Sequence, residues 1–279
     1  MSRVDRVSLG AAIADQLAAA EAQLRDEFGR PGRIHSCTVD DVLDVEVVRA
    51  IYDAFPDAAS MRLRRTLRER KYVTAQMDRE DPLLEEIVYA FQEPPVVELL
   101  GRITGIADLA PDEHLYAGGI SVMRAGNFLN PHIDNSHDKD QQAYRVLNLL
   151  YYVTPDWQPE YGGSLELWDQ GPRRPGARSI ASRFNRLVVM GTTRGSWHSV
   201  SPITHDGART CVSNYYFAPR PLRDAGAPDD GDYFHPTSFR GFADEPVKDT
   251  VLRVDGAIRG AIRKVRRKGV AAPTHLYRR

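Results

Sequence analysis

Between Tyr116 and Ala218 the sequence breaks into short runs rich in Val, Leu, Tyr and Phe, each bounded by Gly, Pro, Asn or Asp. ISVM, RVLNLLYYV, SLELW, RLVVM and TCVSNYYF are examples. Such residues fill a pleated, half-buried surface, and their boundaries tolerate tight turns. The window holds seven or eight such strands, about the number a closed or sandwiched β unit needs. The flanks read as helix. Leu9 to Phe28 is rich in helix formers and ends at Gly29 and Pro31. Thr38 or Asp40 is the expected cap of a second helix through Ala54. Pro82 suits the first turn of a helix to about Gln92; Pro94 and Pro95 break it before another to about Ile103. Residues 60–79 are dense in charge (Arg62, Arg64, Arg65, Arg68, Arg70, Lys71) and fit either an anion-binding lid or an exposed helix face. A last helix over Val247–Lys268 carries Val251, Val254, Ile258, Ile262 and Val265 at helical spacing. The expected class is α+β: a helical buttress over 1–114, a β core over 115–220, and a loop with a basic helix over 221–279, all one structural domain.

Composition excludes several classes. In 279 residues, 42% are hydrophobic and 27% charged, which rules out collagenous and fully disordered chains. Two cysteines, Cys37 and Cys211, cannot build a disulfide framework or a four-cysteine zinc site. No apolar stretch is long enough to span a membrane, and the N-terminus lacks a secretory pattern, so a cytoplasmic location is expected. The net charge of −1 is a cancellation: residues 246–279 hold ten basic and two acidic residues, so that tail is +8 and the rest is −9. The tail either packs on the acidic body or meets an anionic partner; nucleic acid is not the expected partner.

The chemistry lies in the β region. In N-P-H-I-D-N, His132 and Asp134 are two residues apart, and on an extended backbone they share one face. An imidazole and a carboxylate converging there make two-thirds of a 2-His-1-carboxylate site, which leaves coordination positions open on a non-haem iron. His198 follows 64 residues after Asp134, and Arg209 eleven residues later. A buried Arg offers a two-pronged donor for a carboxylate, as a 2-oxo dicarboxylic acid bound to the metal would require.

With these motifs in order, residues 120–218 resemble the catalytic domain of prolyl 4-hydroxylase-type iron(II)/2-oxoglutarate-dependent oxygenases. The matching text is A-G-N-F-L-N-P-H-I-D, R-V-L-N-L-L-Y-Y-V-T, G-G-S-L-E-L-W, F-N-R-L-V-V-M, W-H-S-V-S-P and A-R-T-C-V-S-N-Y-Y-F. The resemblance implies a double-stranded β-helix, a jelly-roll or cupin-like barrel buttressed by the N-terminal helices. It implies Fe(II) on His132, Asp134 and His198, with 2-oxoglutarate and O₂ as co-substrates. Carboxylate binding is carried onto Arg209, and Tyr152 falls where several members use a hydroxyl on the co-substrate. Asn148, Leu150 and Tyr152 share a strand face, so Asn148 is a further candidate for co-substrate contact. Met123 stands where many members have a tyrosine, so one hydroxyl is missing.

The implied reaction is hydroxylation of a C–H bond with release of succinate and CO₂. The expected substrate is a small molecule or saccharide-like metabolite. A prolyl-type protein hydroxylase is the alternative, as is a cupin-like metal enzyme that is not an oxygenase. A non-catalytic β module docking through its basic tail would have no use for the ordered His, Asp, His and Arg.

Overall fold

The computed structural model describes residues 5–174, 176–224, 234–242, 244–266 and 277, with side chains of 259–266 left aside. Four helices form the N-terminal buttress: α1 (Arg6–Ala19), α2 (Glu21–Phe28), α4 (Pro82–Ala90) and α5 (Pro94–Thr104), with α3 (Val45–Asp53) between them. The expected helix over Leu9–Phe28 divides at Ala20, where α1 ends and α2 begins. α1 starts in a capping box of Asp5 and Ser8 and buries Leu9, Ile13 and Leu17, one turn apart.

Thirteen described strands make one sheet: β1 (Ser36–Asp40), β2 (Arg62–Arg65), β3 (Glu69–Thr74), β4 (Ala110–Pro111), β5 (Gly119–Arg124), β6 (Phe128–Ile133), β7 (Tyr144–Tyr152), β8 (Leu165–Leu167), β9 (Arg178–Ile180), β10 (Arg186–Gly191), β11 (His198–Val200), β12 (Ala208–Ala218) and β13 (Ser238–Phe239). Eight of these, β5 to β12, lie between Tyr116 and Ala218. The order is β1-β10-β7-β12-β5-β3-β6-β11-β8-β9, with antiparallel pairing throughout. This is the curled sheet of a double-stranded β-helix. Its two ends meet through side chains: Arg178 on β9 donates to Ser36 Oγ (3.0 Å) and to Ile34 O (3.1 Å), beside β1.

The helices cover one face of the sheet. Leu147, Leu149 and Tyr151 of β7 join Ile13, Leu84 and Leu100 in the main core. Leu150 and Tyr152, on the alternate face, pack with Leu165, Val188 and Met190 inside the barrel. Period-two alternation thus separates buttress from interior.

The first third departs from the helical reading in three places. Thr38 and Asp40 are not helix caps: they lie in β1, paired with β10, and Asp44 caps α3 instead. Cys37 likewise sits in a strand, buried and free like Cys211. The charged segment 60–79 supplies the β2–β3 hairpin, and β3 bonds β5 and β6 in turn along the edge opposite β2.

Near the C-terminus, α6 (Pro246–Arg266) docks through Leu252, which is 3% exposed. Val251, Val254 and Ile258 of the expected apolar stripe stay 45–56% exposed. Charged residues hold the docked side: Lys248 lies over the Phe128 ring, and Asp255 pairs with Arg68. Residues 267–276, 278 and 279, where the basic tail ends, lie outside the described residues. No helix among the described residues is long and apolar enough to cross a membrane.

Candidate metal and co-substrate site

β6 and β11 pair so that His132 faces His198, with ring centroids 4.0 Å apart. Asp134 follows just beyond β6, and its Oδ1 and Oδ2 lie 3.6 Å from His132 Nε2 and 3.7 Å from His198 Nε2. One ligand atom from each of the three residues falls within 4.8 Å of the others. Each imidazole is oriented from behind. His132 Nδ1 contacts Asn130 O at 3.0 Å, and His198 Nδ1 contacts Ser196 O at 2.9 Å. A carbonyl only accepts, so each Nδ1 carries a proton and each Nε2 is turned to the cluster. Phe239 of β13 stacks on the His132 ring at 5.2 Å and walls one side.

Asp134 is half-buried, and its desolvation opposes ionisation, but Arg145 and the two imidazoles outweigh this and hold its carboxyl well below the usual carboxylate range. Burial, with the facing His132, pushes the His198 imidazole down to about 4. At neutral pH the cluster therefore offers an anionic carboxylate and a neutral His198, the protonation states a divalent metal requires.

Two residues fix the carboxylate. Asn148 Nδ2 donates to Asp134 Oδ2 at 2.6 Å, and Arg145 Nη1 lies 3.5 Å from the same oxygen. Arg145 was not singled out from the sequence. The signal available was an arginine inside the apolar run of β7, where a buried charge must have a partner.

Deeper in the barrel, Arg209 and Tyr152 form a second polar group, with the guanidinium 5.1 Å from the Tyr152 ring centre. Arg209 is 4% exposed, and its Nη2 donates to the thioether of Met123 at 2.9 Å. Arg209 Nε, Tyr152 Oη and Asn148 Oδ1 have no hydrogen-bond partner among the described residues. A buried guanidinium facing a weak acceptor, next to an unbonded phenol, fits an absent carboxylate. Burial raises the Tyr152 hydroxyl's pKa against the pull of Arg209, so it stays a neutral donor. Gly163 shapes this end: its φ is +75°, and a Cβ there would lie 2.9 Å from Arg209 Cδ. The glycine doublet before β8 is therefore a turn that also makes room for the arginine.

The chain resembles known proteins in both sequence and fold. Residues 118–217 match the 2OG-Fe(II) oxygenase superfamily. Over 84 residues the chain is 36% identical to prolyl 3-hydroxylase OGFOD1 of Xenopus laevis, covering 29% of this chain and 16% of that protein. The Mus musculus protein of the same name is 28% identical over 87 residues, 30% of this chain and 16% of that one. The match thus spans about a sixth of the curated relatives' length. Among solved structures, a Pseudomonas putida prolyl-4-hydroxylase aligns with a TM-score of 0.52 at 18% identity, over 72% of this chain and 99% of that one. A prolyl 4-hydroxylase of Phytophthora capsici gives 0.51 at 16% identity, over 88% and 75%. At these identities the structural likeness concerns the fold.

Proposed function

We propose that this chain is an Fe(II)- and 2-oxoglutarate-dependent dioxygenase that hydroxylates a substrate C–H bond. The observation carrying this reading is the convergence of His132, Asp134 and His198, one ligand atom each, on one buried point. In the proposal these three hold the metal, Arg209 and Tyr152 receive the far carboxylate of 2-oxoglutarate, and Asn148 orients Asp134 while keeping Oδ1 toward the interior. Fe(II) with 2-oxoglutarate and O₂ supplies the oxidising chemistry and releases succinate and CO₂.

The chain's own contribution is orientation and exclusion of water. The carbonyls of Asn130 and Ser196 hold each imidazole by Nδ1, so that both Nε2 atoms face the cluster. Arg145 keeps Asp134 anionic. Leu150, Val188 and Met190 line an apolar interior in which the Arg209 charge acts with little screening. Asp134 occupies the carboxylate position, so no vacancy is left for a halide, which supports hydroxylation over halogenation.

For the substrate, a small molecule is the reading supported by a cleft of about 320 Å³ beside the site, the size that suits compact ligands. The prolyl alternative is favoured by one observation: the curated relatives matched over residues of this domain are prolyl 3-hydroxylases. The test of the shared reading is anaerobic addition of Fe(II) and 2-oxoglutarate to the protein. A weak visible charge-transfer band is expected, and it should be absent in His198→Ala; a folded wild-type protein without the band overturns the oxygenase reading.

A further inference from the structure

The cleft of about 320 Å³ lies between the β2–β3 hairpin, the loop over 75–80 and the start of β5. It adjoins the candidate metal site through one residue. Tyr215 lines the cleft, its ring carries the Arg145 guanidinium at 4.5 Å, and Arg145 reaches Asp134. Tyr215 pairs with Asn148 across β12 and β7, so both side chains belong to the same end of the barrel. A molecule in the cleft would therefore rest against the wall that holds the metal carboxylate.

The lining is unequal in charge. Arg62, Arg64, Lys71 and Arg79 face the cleft, against the single acid Glu80. Glu69 lies beside them, 3.2 Å from Lys71 and 3.7 Å from Arg64, and offsets one of those two cations. Arg62 and Arg79 are exposed and have no carboxylate within ion-pair distance among the described residues. Lys71 and Arg64 are partly withdrawn from water, with side chains 22% and 35% exposed, where an added anion is screened less than at the open surface. Ser121 and Ser213 add neutral hydroxyls to the same wall. The imbalance is local: over the whole chain the formal charge is −1.

We infer that this cleft is the substrate's entrance and that it receives an anionic group, a carboxylate carried near the C–H bond to be hydroxylated. The inference rests on the oxygenase reading and specifies its substrate class. The carboxylate can belong to a free small acid or to an acidic side chain of a peptide, and the two sources present the same chemistry to Arg62, Arg64, Lys71 and Arg79.

The test uses the full chain loaded with Fe(II) and 2-oxoglutarate without oxygen, so that Arg209 is already engaged. Isothermal titration with the peptide Glu-Glu-Pro-Glu-Glu, its glutamine twin Gln-Gln-Pro-Gln-Gln, and N-acetylglutamate beside N-acetylglutamine compares charge at constant shape. At about 50 mM salt the acidic peptide or the free acid should bind at least about tenfold more tightly than its amide twin, since several ion pairs worth up to about fivefold each act together. The preference should shrink as salt rises. Arg62→Glu combined with Arg79→Glu should abolish it, while Arg25→Glu combined with Arg30→Glu, an equal charge change on the exposed side of α2 and the turn after it, should preserve it. Binding by N-acetylglutamate assigns the source to a small acid; binding by the peptide alone assigns it to an acidic side chain. Equal binding of the twins, binding of none, or a preference that survives charge reversal at Arg62 and Arg79 overturns the inference. The charge-transfer band in the same sample keeps the readings apart: its absence counts against the oxygenase, its presence without acid preference against the anionic substrate alone.

Discussion

The amide of Asn148 donates to Asp134 Oδ2 at 2.6 Å, so a residue of β7 fixes the carboxylate that β6 delivers. That bond leaves Oδ1 of Asp134 toward His132. Asn148→Leu removes the donor at a similar volume. Partners that orient a metal ligand contribute about 10–100-fold in affinity, so Fe(II) binding should weaken by about that factor, with the circular dichroism spectrum unchanged. An anaerobic Fe(II) titration against a competing chelator measures it, and unchanged affinity would remove Asn148 from the site.

Arg209 tests the co-substrate end separately. Arg209→Ala withdraws a charged donor from a buried position, and charged hydrogen bonds contribute about 1.5–3 kcal/mol. The 2-oxoglutarate dissociation constant should rise by at least about tenfold, while Fe(II) affinity stays near the wild-type value. Arg209→Lys should recover part of the loss, because the ammonium keeps the charge without the two-pronged geometry.

Gly163→Ala should act on both stability and the co-substrate. A non-glycine residue at φ +75° is strained, and the added methyl presses on Arg209 Cδ. A cost of about 1–3 kcal/mol should appear in the urea midpoint, together with weaker 2-oxoglutarate binding. Gly176, with φ +98° and open space around it, is the control: alanine there carries the backbone strain alone and should leave co-substrate binding unchanged.

Asp40 supplies a pH signature away from the site. Its hydrogen bonds to Arg186, with charge from Arg186 and Arg183, hold its carboxyl below the ordinary 3.8 despite partial burial. A depressed folded pKa means the unfolded chain takes up the proton first, so this contribution is full above about pH 4 and is lost as pH falls through the folded value. The stability difference between wild type and Asp40→Asn should therefore be larger at about pH 6 than at about pH 3. Urea unfolding at the two values checks the sign.

The candidate cluster was legible because its parts are local or ordered. His132 and Asp134 meet by strand parity, and His198 and Arg209 stand in strand-like text at family spacing. What escaped was set by pairing across the sheet. β3 reads E-R-K-Y-V-T, with no apolar alternation, and becomes a strand because β2 bonds one edge while β5 and β6 share the other. Thr38 and Asp40 look like caps only while β10 is out of view. In α6 the described stripe residues Val251, Val254 and Ile258 face solvent, and Ile262 and Val265 lie outside the described side chains; among the described residues Leu252 docks, beside Lys248, Asp249 and Asp255. Arg145 was hidden for the opposite reason, since its partner Asp134 lies eleven positions earlier, just past the end of β6.

The pairing of β3 with both β5 and β6 has an evolutionary consequence. The hairpin that tops the cleft is also a rib of the barrel, so residues free to drift toward a new ligand are confined to its outward rim, Arg62 and its neighbours. Inward positions such as Glu69 and Lys71 are tied to the sheet that carries His132. Divergence of preference in such a chain should proceed by exchanging rim charges, while the strand beneath them stays put.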